Sequence, residues 1–289
     1  MARAAGLKLR FKRVRESGMI HPSAIVAAGA RLGAGVEVGP FAVIEAGAEV
    51  GDRCVIGAHA VLTRWVRMGA ANRVGTGAVL GGDPQDLKFD FATESFVRVG
   101  EGNQFREHCT VHRASVPQGE TVVGNGCLFM AGAHVGHDAR VGDGTILANG
   151  SMLGGFTELG ERVFVSGGVG IHQFVRIGRL AMTQGNSVIT QNVLPFTMVA
   201  GVNRTAGLNV VGMRRAGFGA VERAEIRRAF KLLFTSGCNV PQALERAAQM
   251  AWSERAMEFW EFARGCSKRG ICRWSGKRGG GAELEEAAG

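Results

Sequence analysis

The sequence predicts an all-β parallel β-helix followed by a C-terminal α-helical cap. Three observations predict it: a six-residue apolar repeat, a second column of small residues in step with it, and 45 glycines against only 6 prolines in 289 residues. In steps of six from Ile20, the residues Val26, Leu32, Val38, Ile44, Val50, Ile56, Leu62, Met68, Val74 and Leu80 are all apolar. A second register holds Val99, Phe105 and Val111, resumes at Val123 after Pro117, and runs to Ile189 with only Thr183 departing. Four residues after each aliphatic stands a small residue, among them Ala42, Cys54, Ala60, Cys109, Cys127 and Thr145, with Asn72 and Asn103 as exceptions. A period of six with two inward positions suits neither an α-helix nor a hairpin. It suits a coil with three short flat sides and about 18 residues per turn. The glycines that often follow the aliphatic, such as Gly51 and Gly142, are read as corners that need backbone freedom.

Taken in order, residues 1–18 hold six Lys or Arg and one Glu, a net +5 of the chain's +9, which leaves +4 for the rest. This segment reads as a basic extension, disordered or placed ahead of a true start at Met19. Its apolar residues are too broken by Lys8, Arg10 and Lys12 for a signal-peptide core. The long uncharged stretch between Arg179 and Arg204 is too polar for a membrane span. A soluble, cytoplasmic protein is expected. Net charge alone argues for nucleic acid, and that charge sits mainly at one end, so none is expected as a partner.

Residues 19–200 read as the β-helix. Residues 81–98, GGDPQDLKFDFATESFVR, leave the register as a loop, and residues 117–120 form a second bulge. Loops thrown out from a rigid solenoid commonly carry ligand contacts. Residues 201–273 read as the helical cap: Ile226, Ala229, Phe230, Leu233 and Phe234 have helical spacing, Gly237 stops that helix, Pro241 suits the first turn of the next, and Ser253 starts a third. A cap covers the core that an open solenoid end exposes. Residues 274–289 read as a disordered tail. The six cysteines form no CxxC pair. Cys54, Cys109 and Cys127 fall in the small column, so they read as buried apolar residues rather than ligands or nucleophiles.

None of the seven histidines falls in an inward column. His137, Gly155 and Gln173 are 18 apart, so they stack on one face in successive coils. Asp138 follows His137 and can orient it. An imidazole suits acceptance of a hydroxyl proton, and a bare glycine N–H suits a developing oxyanion. That is an acyl-transfer layout in which a substrate hydroxyl attacks directly. The rival reading is a zinc hydratase, from the HxxH of His134 and His137 and the HxxxH of His108 and His112. Against it, positions 112 and 137 differ by 25, which is not a multiple of 18. A non-catalytic solenoid is the third class.

The hexads, GGDPQDLKF, REHCTVHR, AGAHVGHD, GIHQF and GLNVVGMRRAGF, followed by a helical tail, resemble the acyl-carrier-protein-dependent UDP-N-acetylglucosamine O-acyltransferases of lipid A biosynthesis over about residues 19–273. The resemblance implies a left-handed coil and a cytoplasmic homotrimer with sites between subunits. It implies transfer of a 3-hydroxyacyl chain from acyl carrier protein to the glucosamine 3-hydroxyl, with no metal and no bound cofactor. It implies His137 as general base, Asp138 as its orienter and Gly155 as oxyanion donor. Gln85, Asp86, Lys88, His134, His172 and Gln173 would contact the sugar nucleotide, and Asn209 and Arg215 its uridine and phosphate end. Gly185 stands where a bulkier residue would shorten the acyl groove, so a long chain is expected. The chain departs from the family at Phe156, where histidine is usual, and at Val211, where an acidic residue is common. The first departure raises a 3-amino sugar, acylated on nitrogen, as the alternative acceptor.

Overall fold

Each hexad supplies a strand of two residues or a little more, and strands one coil apart pair in parallel, as Ile25↔Val43 and Val43↔Val61 do. The computed structural model describes residues 18–266 and 269–276; the expected extension through residue 17 and the tail from residue 277 lie outside them. The strands build three sheets of nine, eight and eleven strands, the sides of a left-handed β-helix. The aliphatic column fills the interior: Ile44, Leu62, Leu80, Val111, Val135 and Leu153 are fully buried. The small column packs beside it, with Ala42, Cys54 and Ala60 at 0% exposure. Burial pushes the Cys109 and Cys127 thiols up to about 11, so both are core residues rather than thiolates.

The two asparagines that break the small column are buried as well. Asn72 Nδ2 donates to the carbonyls of Gly69 and Gly100, its Oδ1 accepts from Asn103 N and Nδ2, and Asn103 Oδ1 accepts from Cys127 N. The pair forms a ladder through three coils where the chain returns from the loop. Replacing Asn72 by Ala is expected to lower stability by about 2–4 kcal/mol, because it strands several buried partners at once. Urea unfolding measures this, and a loss below about 0.5 kcal/mol would mean the ladder contributes little.

The glycines directly after the aliphatic need a different explanation from the one the sequence suggests, whereas others, such as Gly35 (φ 67), Gly77 (φ 67) and Gly144 (φ 64), do occupy left-handed corners. Positive φ occurs three residues after the aliphatic, often without glycine, as at Arg53 (φ 55), Asp138 (φ 60), Phe156 (φ 58) and Phe174 (φ 63). The glycines directly after the aliphatic are required by contact between coils. A Cβ on Gly51 would stand 2.5 Å from the Gly69 carbonyl carbon, and one on Gly142 2.6 Å from that of Gly160.

The loop leaves the coil after the strand Val79–Gly82 and returns at Phe96–Val99. At the far end the strand Thr197–Ala200 turns back antiparallel into Arg204–Leu208, so sheet structure extends past the expected boundary at 200. Four helices follow: α1 (Val210–Arg215), α2 (Ala220–Phe234), α3 (Val240–Ala248) and α4 (Glu254–Arg264). Ile226, Ala229, Phe230 and Leu233 of α2 are buried in a second core with Phe259 and Trp260 of α4. Asn239 and Gln242 form a capping box at the start of α3, where Pro241 also sits. A paired Arg179 and Glu258, 2.7 Å apart, ties the coil to α4. The boundary expected at 274 falls inside a last strand, Arg273–Trp274. That strand pairs with Arg204–Leu208, and Trp274 packs edge-on to Phe230 at 5.1 Å.

Candidate active site

One cleft of about 320 Å³ is lined by Gln85, His112, His134, Gly136, His137, Leu153, Gly154, Gly155, Ile171, His172 and Gln173. The eighteen-residue coil creates its spine: His137, Gly155 and Gln173 stack, with Phe156 N donating to His137 O and Phe174 N to Gly155 O. His137 Nδ1 lies 2.7 Å from Asp138 Oδ2. Asp138 Oδ2 also accepts from Ser115 N at 2.9 Å and Ser115 Oγ at 2.7 Å, while Asp138 N donates to Thr121 Oγ1. Burial pushes the Asp138 carboxyl up, but the hydrogen bonds from His137 and Ser115 together outweigh it and hold it below the usual value. An ionised Asp138 accepts from Nδ1–H, which leaves Nε2 as the basic nitrogen.

His134 shares a 2.7 Å hydrogen bond with Thr110 Oγ1, and its ring meets His112 edge-on at 4.8 Å. Burial first, then the neighbouring imidazoles, lowers the pKa of both, for His112 to about 4. Both are therefore neutral near pH 7. The sign of the linkage follows: below the ordinary 6.5 the unfolded chain takes up protons that folded His112 and His134 refuse. Stability is expected to fall as pH drops from 6.5, continuing for His112 to about 4. Asp138 adds to the loss only below 3.8. Urea midpoints across that range test this, and His112→Asn should flatten the decline.

Of the expected site residues, Gln85, His134, His137, Gly155, His172 and Gln173 meet at the cleft, with Asp138 behind His137. Asp86 and Lys88 are exposed on the adjoining loop, where Asp86 Oδ1 accepts from Lys88 N at 2.9 Å. Asn209 and Arg215 do not line the cleft. Asn209 caps α1 through Gly212 N and donates to Leu180 O, and Arg215 is exposed in the last turn of that helix. Gly185 is exposed on a different corner, where a Cβ would meet Gly167 O at 3.4 Å. Phe156 does lie beside His137: its ring is edge-on to that imidazole at 5.3 Å and stacked on Phe174 at 4.7 Å.

Three participants were not expected. Ser115 orients Asp138, His112 lines the cleft, and Arg269 reaches back from the C-terminal segment, its Nη1 3.3 Å from His172 Nδ1 and its guanidinium 5.6 Å from the Phe174 ring centre. The eighteen-residue step hid His112. The bulge lengthens its coil to twenty-four, so Thr110 pairs with His134 and position 112 lies beside the cleft after all. Among the described residues no group of three His, Cys, Asp or Glu side chains is placed to hold a metal ion. No helix there is long and apolar enough to cross a membrane.

A β-helix of hexapeptide repeats with a His–Asp pair at a cleft is an arrangement suited to acyl transfer. Comparison with known proteins narrows this. A family model described as bacterial transferase hexapeptide (six repeats) matches residues 29–64 and 120–155, and one described as Udp N-acetylglucosamine O-acyltransferase, Domain 2, matches 192–272. The acyl-[acyl-carrier-protein]–UDP-N-acetylglucosamine O-acyltransferase of Anaeromyxobacter sp. (strain K) is 40% identical over 257 residues, 88% of this chain and 99% of that protein. Its namesake from Gloeothece citriformis is 41% identical over 183 residues, 63% of this chain and 65% of that protein. A crystal structure of a UDP-N-acetylglucosamine acyltransferase from Bacteroides fragilis 9343 superposes with a TM-score of 0.83 at 34% identity, covering 88% of this chain and 100% of that one. The chain belongs to the acyl-[acyl-carrier-protein]–UDP-N-acetylglucosamine O-acyltransferase family.

Proposed function

We propose that the protein transfers a 3-hydroxyacyl chain from acyl carrier protein to the glucosamine 3-hydroxyl of UDP-N-acetylglucosamine, the first step of lipid A biosynthesis, in the cytoplasm. The observation that carries this reading is the His137–Asp138–Ser115 relay opening on Gly155. His137 Nε2 takes the proton of the 3-hydroxyl while Asp138 holds the imidazolium that forms. The freed oxygen attacks the thioester carbonyl carbon, and charge collects on the carbonyl oxygen within reach of the Gly155 N–H. The C–S bond breaks, the ester forms, and His137 returns its proton to the departing thiolate. Gln85, Asp86 and Lys88 serve the sugar nucleotide, with His134, His172 and Gln173 lining its path, and Lys88 acts on phosphate as a point charge. Asn209 and Arg215 serve the uridine and phosphate end from a neighbouring subunit, and the open corner at Gly185 suits a long acyl chain.

A homotrimer is part of the reading. The outward residues of the nine-stranded sheet are Ile25, Val43, Val61, Val79, Thr110, His134, Met152, Gly170 and Val188, a mainly apolar strip broken at Thr110 and at the cleft residue His134. Along the eight-stranded sheet the corresponding residues include Arg31, Glu49, Arg67, Arg98, Arg140, Glu158 and Arg176, several of them ion-paired. The charged side suits water, and the apolar side suits a second copy of the chain.

The test is transfer from 3-hydroxyacyl carriers of several lengths to UDP-N-acetylglucosamine and to its 3-amino analogue, with sedimentation to read the oligomer. The hydroxyl sugar and the longer chains are expected to react faster, on a species of three times 30.5 kDa. Faster reaction of the amine would move the acceptor to nitrogen, and no transfer to either would overturn the reading.

A further inference from the structure

Arg113 is almost wholly buried at 1% exposure, yet no step of the proposed reaction uses it. Its guanidinium is spent on the excursion loop. Nε donates to Asp83 Oδ1 at 2.7 Å, Nη1 to Ser95 Oγ at 3.2 Å and to the Thr93 carbonyl, and Nη2 to Phe91 O at 3.2 Å. The same group lies 4.5 Å from the Trp65 ring centre and 4.7 Å from that of Phe89. Its backbone N–H donates to Gly82 O at 2.8 Å, where the loop leaves the coil. One side chain thus grips the start of the loop at Asp83 and its return at residues 91–95. The span between these grips carries Gln85, Asp86 and Lys88.

We propose that Arg113 is a positioning residue: it clamps the excursion loop against the coil and so sets Gln85 and Lys88 relative to His137. The inference rests on the acyl-transfer reading. Its sequence neighbours put it in the frame of the cleft. His112 lines the cleft, Thr110 bonds His134, and Ser115 bonds Asp138. Residues 110–115 therefore fix both the floor of the site and, through Arg113, the loop beside it. Simple anchorage would not require a buried cation, because Phe89 is already buried and apolar packing carries no desolvation cost. A fork of fixed donors does what apolar packing does not: it specifies orientation at several acceptors at once. Lysine keeps the charge but not the fork.

The test compares Arg113→Met, Arg113→Lys and Asp83→Asn with the unaltered full chain, by steady-state kinetics and by tryptic cleavage after Lys88. Arg113→Met is expected to raise KM for the nucleotide sugar about tenfold, to leave KM for the acyl carrier within about twofold, and to speed the cut about tenfold. Arg113→Lys should recover part of each change. Unaltered KM and cleavage, or equal increases in both KM values, would overturn the clamp. Should Arg113→Met fail to fold, Arg113→Lys and Asp83→Asn decide by the same readouts, since Asp83 is 45% exposed and its loss leaves the buried site filled. Absence of acyl transfer by the unaltered protein would instead overturn the functional reading, and the cleavage rates would still decide whether Arg113 holds the loop.

Discussion

Replacing His137 by Ala is expected to lower acyl transfer by about 10²–10⁴-fold while leaving the coil intact, the range that a positioned general base commonly supplies. The fold should tolerate the change because the His137 side chain projects into the cleft and not into either buried column; it hydrogen-bonds Asp138 and meets the Phe156 ring edge-on. The loss should fall on kcat, since the proton moves only as the acceptor oxygen attacks. Asp138→Asn should cost less. It keeps a side chain for Ser115 to hold but removes the charge that stabilises the imidazolium. Rates with saturating donor and acceptor, alongside circular dichroism and sedimentation, make the comparison. A folded His137→Ala protein that retains most of its activity would remove the base from the mechanism and return the catalytic role to another residue of the cleft.

The hexad made the coil legible because its two inward columns must be apolar and small to close a narrow core, and nothing else in the sequence imposes a period of six. The same regularity gave the stack of residues 137, 155 and 173. It failed wherever a coil is not eighteen residues long. The bulge between the strands Thr110–His112 and Glu120–Val123 lengthens its coil by six, which moves His112 beside the cleft and puts Ser115 within reach of Asp138 across 23 positions. Arg269 was beyond any repeat argument, because it comes to His172 from the segment after the last helix. The glycines divide between two causes, positive φ at corners such as Gly35 and Gly144 and close coil contact directly after the aliphatic. Coil-to-coil contact, not φ, excludes a Cβ at Gly51 and Gly142, while Asp138 and Phe156 occupy the positive-φ corners. Asn209 was legible only through a motif, not through the repeat. A motif placed it in the site, and within one protomer its side chain caps a helix and bonds Leu180 O.

Gly155 offers a sharper test of the site than its assigned N–H does. A Cβ there would stand 2.6 Å from both Cε1 and Nε2 of His137, below any van der Waals contact, while the N–H would remain. Gly155→Ala is therefore expected to swing the imidazole away from its 2.7 Å bond with Asp138 and to lower kcat about 10²-fold, the usual consequence of moving a catalytic group by about 1 Å. The neighbouring Gly154 gives the contrast. Its Cβ would strike backbone, 2.6 Å from Gln173 N, so Gly154→Ala should lower urea stability before it lowers the rate of the surviving folded fraction. Coupling to the base separates the two roles of Gly155. If its methyl acts by displacing the ring, adding Gly155→Ala to His137→Ala should have little further effect, since the ring is already gone. If the methyl instead disturbs the oxyanion position, the two losses should multiply. Full activity in the single variant would show that His137 has room the static geometry denies it, and the tight stack of ring against glycine would then have no part in holding the base.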